Sequence, residues 1–404
     1  MRPSETVRSP WQTPTVRKID AAERRARLAR RHRVAPGYRV GDVVEAASRM
    51  VCLHATDPAT IYLSAWARVD GMKVGDLGQA MYADRSLVKH LAMRRTLFVF
   101  PRVVLPYAQA GASDRVAGTE RRRLIRQVEK AGLHRDGESW LDAAEEAVVA
   151  ALTDGREASS TELRQEIPLL EGAIDYGEGK KWGGSMPIAP RVLTTLSAAG
   201  RIVRATNAGG WTASRPRWTS MTSWLGEELR AVGEAEGVAG LVEQWLRVFG
   251  PGTTADIKWW LGSTVRAVRQ ALADLDAVEV DLDGQTGYLL PDDLDPVEPV
   301  EPWIALLPML DPTTMGWQER EWYLGPYKAQ LFDSAGNAGP TIWCDGRIVG
   351  GWRQYENGEV ELQMLEDVGA DANEAIEAEA ARLTTWLDGT RVLPRFPSPL
   401  WRAG

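Results

Sequence analysis

Cys52-Leu53-His54-Ala55-Thr56-Asp57-Pro58-Ala59-Thr60 is the stretch from which the fold is best read. Ahead of it, Val43, Val44, Ala47, Met50 and Val51 recur at nearly helical spacing, so a helix is predicted over residues 41–51. Behind it, Ile61-Tyr62-Leu63-Ser64-Ala65-Trp66-Ala67 begins a second helix. Asp57 suits the N-cap of that helix, where a carboxylate oxygen accepts a free backbone N–H, and Pro58 suits its first turn. His54 and Thr56 then fall in an extended connector, where a spacing of two puts both side chains on one side. That side adjoins a helix N-terminus, which attracts anions such as phosphate.

Outward from this stretch one order of elements recurs. Residues 74–85 read as a third helix, and residues 87–100 as a hairpin with Arg94-Arg95 near its turn. A second round follows with helices at 141–152 and 190–199 and a capped helix start at Ser159-Ser160-Thr161-Glu162. Its hairpin strands, 201–205 and 210–213, flank Asn207-Ala208-Gly209. The third round has helices at 238–249 and 264–275, a helix start at 253–256, and strands 278–280 and 288–290 across Asp283-Gly284. Such an internal repeat is the winged-helix pattern three times over. Beyond 302, strands at 303–310, 341–344, 347–353 and 360–364 are punctuated by Asp345-Gly346 and Asn357-Gly358, and a helix over 373–387 closes the chain. The class expected is α+β, three tandem winged-helix modules followed by a small β-barrel-like C-terminal domain with a terminal helix. The expected divisions are a flexible arm (1–18), the basic N-terminal helix with the first module and a linking helix (19–130), the second module (131–220), the third (221–295) and the β-rich domain (296–404).

The 404 residues are 44% hydrophobic and 25% charged, as in ordinary soluble proteins. No apolar run reaches the ~18 residues of a membrane span, and the start lacks the apolar stretch of a signal peptide. Two cysteines and four scattered histidines show no metal-ligand spacing, so neither metal nor cofactor is expected, and a reducing cytoplasm fits. The Gly-rich run 177–184, with Lys180 and Lys181, lacks the spacing of a phosphate loop. The net charge of −7 conceals an asymmetry. Residues 1–130 hold 25 Lys and Arg against 12 Asp and Glu, the remainder 23 against 43. A basic third of this kind is either a solvated face or the surface that meets an anionic partner such as nucleic acid. Arg94, Arg95, Arg121, Arg122, Arg123, Lys180 and Lys181 are the candidate phosphate contacts. Most of the 17 tryptophans are expected to be core anchors rather than platforms for stacked bases.

Residues 41–68, 93–98 and 306–324 resemble the winged-helix DNA glycosylases of the AlkZ and YcaQ type, most closely over 53–66 and Leu307-Pro308-Met309-Leu310-Asp311-Pro312. That family carries Gln-x-Gln followed by Asp-Pro where this chain has His54-Ala55-Thr56-Asp57-Pro58. The resemblance implies a monofunctional enzyme that excises N7-alkylated guanine, bulky or crosslinked adducts included, by water attack at C1′. No lysine has a matching motif for Schiff-base chemistry. His54, Thr56 and Asp57 are the catalytic candidates: His54 as acceptor of the water's proton, Thr56 as holder of that water or of a phosphate oxygen, Asp57 as an electrostatic partner or simply a cap. The loop 313–320 is expected to approach the lesion, with Met315 and Trp317 as apolar probes and Arg320 on a phosphate. A monomer that binds double-stranded DNA in the cytoplasm, at the nucleoid, fits this role. The alternative is a catalytically silent winged-helix DNA-binding protein or transcriptional regulator, in which His54 is a structural histidine.

Overall fold

The computed structural model describes residues 16–176 and 183–403. Three stretches of it share one order of elements. In the first, helices Val43–Ser48 and Pro58–Trp66 enclose the two-residue strand Leu53–His54. A third helix, Val74–Gly78, continues as a wider π-type turn, Gln79–Ala83, and leads into the hairpin Leu87–Ala92 and Thr96–Pro101. The second stretch runs through Gly137–Ala151, Ser160–Glu166 and Ala189–Ala198 to strands Ile202–Asn207 and Pro216–Ser220. The third runs through Glu234–Phe249, Thr254–Leu261 and Val265–Asp274 to strands Val278–Leu282 and Gln285–Leu289.

The likeness extends to hydrogen bonding. Just before each second helix, the chain pairs with the last strand of its own hairpin: Leu53 with Val99, Ala158 with Trp218, and Thr253 with Gly287. Each of those helices is then capped by a short polar side chain, Asp57, Ser159 or Thr253, because the first N–H groups of a helix have no partner within it.

Three expectations need correction. The last residues of the N-terminal arm are not loose, since Arg17–Lys18 form a strand parallel to Val278–Leu282. The second hairpin does not turn at 207–209. Asn207 instead donates to the carbonyls of Gly209, Gly210 and Ala213 and accepts from the Arg215 N–H, which organises a longer loop before Pro216 starts the return strand. That stretch also carries a hairpin that the sequence did not announce, Ala173–Tyr176 with Gly184–Pro187. The C-terminal strands Ile304–Leu307, Thr341–Cys344, Arg347–Gln354 and Val360–Met364 form an antiparallel sheet in chain order, with no pairing between first and last. They make an open sheet rather than a barrel, packed against helix Ala370–Leu387 through Ile376, Ala380, Leu383 and Leu387.

The first and third stretches and the C-terminal sheet share one apolar core, whereas the second has its own, built on Leu141, Leu163, Val192 and Trp218. Helix Asp114–Lys130 joins them, placing Leu124 and Val128 in the second core. No helix among the described residues is long and apolar enough to cross a membrane.

Candidate functional site

The strip 54–57 is placed by two local devices, strand pairing on one side and a helix cap on the other. His54 pairs with Phe98, its ring edge-on to that phenyl at 5.2 Å, and it is only 7% exposed. Its Nδ1 accepts the Thr56 backbone N–H at a long 3.4 Å, so the neutral ring carries its proton on Nε2. Burial, and secondarily the charge of Arg94, push the His54 pKa down to about 3. An unperturbed imidazole titrates near 6.5; here the ring stays neutral, but so weak a base draws a proton from water poorly.

Asp57 caps helix Pro58–Trp66, as expected. Its Oδ1 accepts the Ala59 N–H at 2.9 Å and its Oδ2 that of Arg395 at 3.2 Å. Burial pushes its carboxyl above the usual range, opposed by those N–H groups. Arg395 belongs to the strand-free segment after helix Ala370–Leu387, which crosses the start of this helix and also donates a guanidinium N–H to the Thr56 carbonyl at 3.3 Å.

Thr56 opens into a cleft of about 190 Å³ between the first and second repeated stretches and the C-terminal segment. Leu97, Arg95, Arg204, Trp218 and Arg395 share its wall with Thr56. His54 does not. Neighbouring residues of a strand face opposite ways, so with Leu97 toward the cleft, Phe98 and the His54 opposite it face inward. The structure therefore parts the two side chains that the extended connector was expected to align.

The basic candidates also divide. Arg94 and Arg95 sit at the hairpin tip with left-handed backbones, φ 54° and 60°. The Arg94 guanidinium lies 4.0 Å above the Trp259 ring, and Arg95 pairs with Glu120 at 2.7 Å. Arg121 is turned toward the second core, bound to Asp142 at 2.6 Å and Glu145 at 3.3 Å, and so is not a free phosphate contact. Arg122 and Arg123 are exposed. Lys180 and Lys181 lie outside the described residues. Sequence reasoning missed Arg204 and Arg395. Arg204 stands out only as a charge within an apolar strand, and Arg395 reaches the cleft by a chain path that no local pattern reveals.

The loop 313–320 is not a probe. Met315 and Trp317 are buried, Trp317 donating its indole N–H to the Phe249 carbonyl at 3.1 Å and stacking on His32. Arg320 is 6% exposed, wedged between the rings of Trp259 and Phe332, and it donates to the Trp317 carbonyl. An indole meets both its packing and its N–H need best in an interior, and this loop supplies one.

The same loop carries a buried charge network. Arg68 and Asp311, both fully buried, pair at 2.7 Å. Asp311 also accepts from Ser64 Oγ at 2.8 Å and the Thr313 N–H at 2.9 Å, while Arg68 reaches the Ser64 carbonyl and Thr313 Oγ1. Thr313 Oγ1 in turn meets His32 Nδ1 at 2.9 Å. This network clamps the helix that follows Asp57 to the C-terminal region. Among the described residues no cluster of three or more metal-ligating side chains occurs.

With this geometry in place, the comparisons with known proteins become specific. A family model described as DNA glycosylase AlkZ-like matches residues 47–386. Among solved structures, the Streptomyces sahachiroi DNA glycosylase AlkZ is similar over 93% of this chain and 99% of its own, with a TM-score of 0.70 and 20% sequence identity. At that identity the likeness is one of fold. No curated protein matches the sequence significantly.

Proposed function

The chain belongs to the AlkZ-like DNA glycosylase family, and from that premise we propose that it is a monofunctional repair enzyme excising N7-alkylated guanine by water attack at C1′. The observation that carries this reading is the basic cleft into which Thr56 opens, at the position where the resemblance puts the family's Gln-x-Gln.

An N7-alkylated guanine already bears a positive charge, so it departs as a neutral base and needs no strong acid. The protein must stabilise a cationic sugar and place a water, whose proton passes to bulk solvent as the C1′–O bond forms. The Thr56 hydroxyl, half-buried in the cleft, holds the water or a phosphate oxygen. Asp57, fixed through both oxygens, supplies negative potential close by and needs no rearrangement as charge develops. His54 acts through Thr56: its neutral ring accepts the Thr56 N–H and holds the connector in place, which makes it a positioning residue.

The three repeated stretches are read as winged-helix modules laid along duplex DNA, with Arg94, Arg95, Arg122 and Arg123 displacing counterions from phosphates. The enzyme acts as a monomer on nucleoid DNA in the cytoplasm. A second reading, a silent DNA-binding relative, is favoured by one observation, the burial of His54 at the position of a family glutamine. Incubation with duplex carrying N7-methylguanine or a bulky N7 adduct decides between them. Strand breaks that appear only after alkali support the monofunctional glycosylase. Intact strands together with tight binding to one sequence support the regulator.

A further inference from the structure

Among the described residues, the wall of the Thr56 cleft contains three arginines and no carboxylate. One of the three has a partner outside the wall, since Arg95 pairs with Glu120. Arg395 spends one N–H on the Thr56 carbonyl and is otherwise exposed. Arg204 has neither a hydrogen bond nor an ion pair among the described residues. It lies across from Trp218, 5.0 Å from the ring centroid. Burial and the charge of Arg395 lower its pKa to about 10, which leaves it a cation at neutral pH.

Arg204 is partly buried, and several other buried or partly buried guanidiniums each have an acid, while Arg320, packed between the Trp259 and Phe332 rings, has none among the described residues. Arg27 and Arg31 share Asp293, Arg39 has Glu379, and Arg68 has Asp311. Withdrawing a charge even partly from water without a counter-charge costs stability, and a like charge beside it adds to the cost. Two cations facing an acid-free cavity therefore describe a site completed by an anion that arrives from outside. At about 190 Å³ the cavity is smaller than the usual small-molecule pocket, and Thr56, Thr194 and Ser197 add hydroxyls to it. A tetrahedral oxyanion fits that size and donor set, and guanidinium groups match phosphate geometry.

We propose that this cleft is a phosphodiester-binding subsite, in which Arg204 and Arg395, with Arg95 at the rim, hold one backbone phosphate beside the extruded nucleotide. The identity of that phosphate rests on the glycosylase reading; the affinity for phosphate does not. Arg204 lies at mid-chain and Arg395 lies 191 positions further on, so a single phosphate would register the second repeat and the C-terminal segment against the first. The nucleotide would be held next to Thr56 by its backbone, which leaves its base free to vary in size.

The test uses the full chain in two arms. In the first, inorganic phosphate is added at constant ionic strength and thermal unfolding is followed. Wild type should gain several degrees, Arg204→Gln should gain nothing, and Arg204→Lys should recover part of the gain. In the second, binding is measured to duplexes with a tetrahydrofuran abasic analogue, each flanking linkage replaced in turn by a neutral methylphosphonate. One linkage should weaken wild-type binding about tenfold and have no further effect on Arg204→Gln, the non-additivity that marks a direct contact. If phosphate raises both proteins' Tm alike, and every methylphosphonate weakens both alike, the subsite is overturned. Should excision of N7-alkylguanine fail while the linkage pattern holds, the subsite stands and the glycosylase reading falls.

Discussion

Arginines meet helix Pro58–Trp66 from opposite ends, and the two sites are built on opposite principles. At the C-terminal end Arg68 is fully enclosed, and four separate groups share its charge and that of Asp311. At the N-terminal end Arg204 and Arg395 face a cavity and no acid. A closed network of this kind fixes the relative position of elements and asks nothing of solvent or ligand. An open one holds energy in reserve for whatever completes it. The difference separates the charges that make the fold from those that serve it.

The sharpest way to break this comparison is to remove Asp311. Asp311→Ala leaves Arg68 buried without a counter-charge and should cost about 3–5 kcal/mol, read as a lowered urea midpoint. Replacing both partners with apolar residues, Arg68→Met with Asp311→Leu, should restore much of the loss. A double variant as unstable as the single one would show that the network is more than a paired charge.

Acid should act next. His32, His54 and His90 are all buried, with pKa values pushed well below 6.5, to about 3 for His54 and about 4 for His90. Each protonates more readily in the unfolded chain. Their contribution is therefore full above about 6.5 and is lost as pH falls toward the folded values. The slope approaches about 1.4 kcal/mol per pH unit for each. Thermal unfolding at pH 7 and pH 5 should show it. Excision by the surviving folded protein should not decline over that range on account of His54, whose ring stays neutral throughout.

Arg204→Gln should leave stability unchanged or raise it slightly, because it relieves a like-charge contact, while weakening binding to abasic-analogue duplex about tenfold, roughly 1.4 kcal/mol. Destabilisation comparable to that of Asp311→Ala would erase the contrast between the two groups. The smallest effect belongs to Thr56→Ala. One neutral hydroxyl contact contributes about 0.5–1.5 kcal/mol, a two- to tenfold loss in single-turnover excision rate.

Much of this architecture is legible in the sequence because its signals are local. Asp57-Pro58, the capping boxes at Ser159 and Thr253, and the Asp283-Gly284 turn each act within four residues. The charge roles are not legible in this way. Arg121, in a basic run, is turned inward by Asp142 and Glu145, which lie on another helix. Trp317 and Met315 sit in a turn-rich loop that reads as exposed, yet Phe249 and His32, distant in sequence, enclose Trp317. The direction in which His54 points depends on strand register with Phe98, and one residue of slip would have turned it to the other face. Side-chain destiny here is set by partners more than twenty residues away, for which a linear pattern has no vocabulary.

The segment that brings Arg395 to Thr56 also sets a clock. The two residues stand 339 positions apart, and at ordinary rates of about 5–20 residues per second their synthesis is separated by roughly 17–68 s. For most of that interval a nascent chain lacks the last arginine of the cleft and also the C-terminal sheet with which the first repeat shares its core. Neither the core around the first repeat nor the cleft beside Thr56 is therefore complete until Arg395 and the sheet before it have been made.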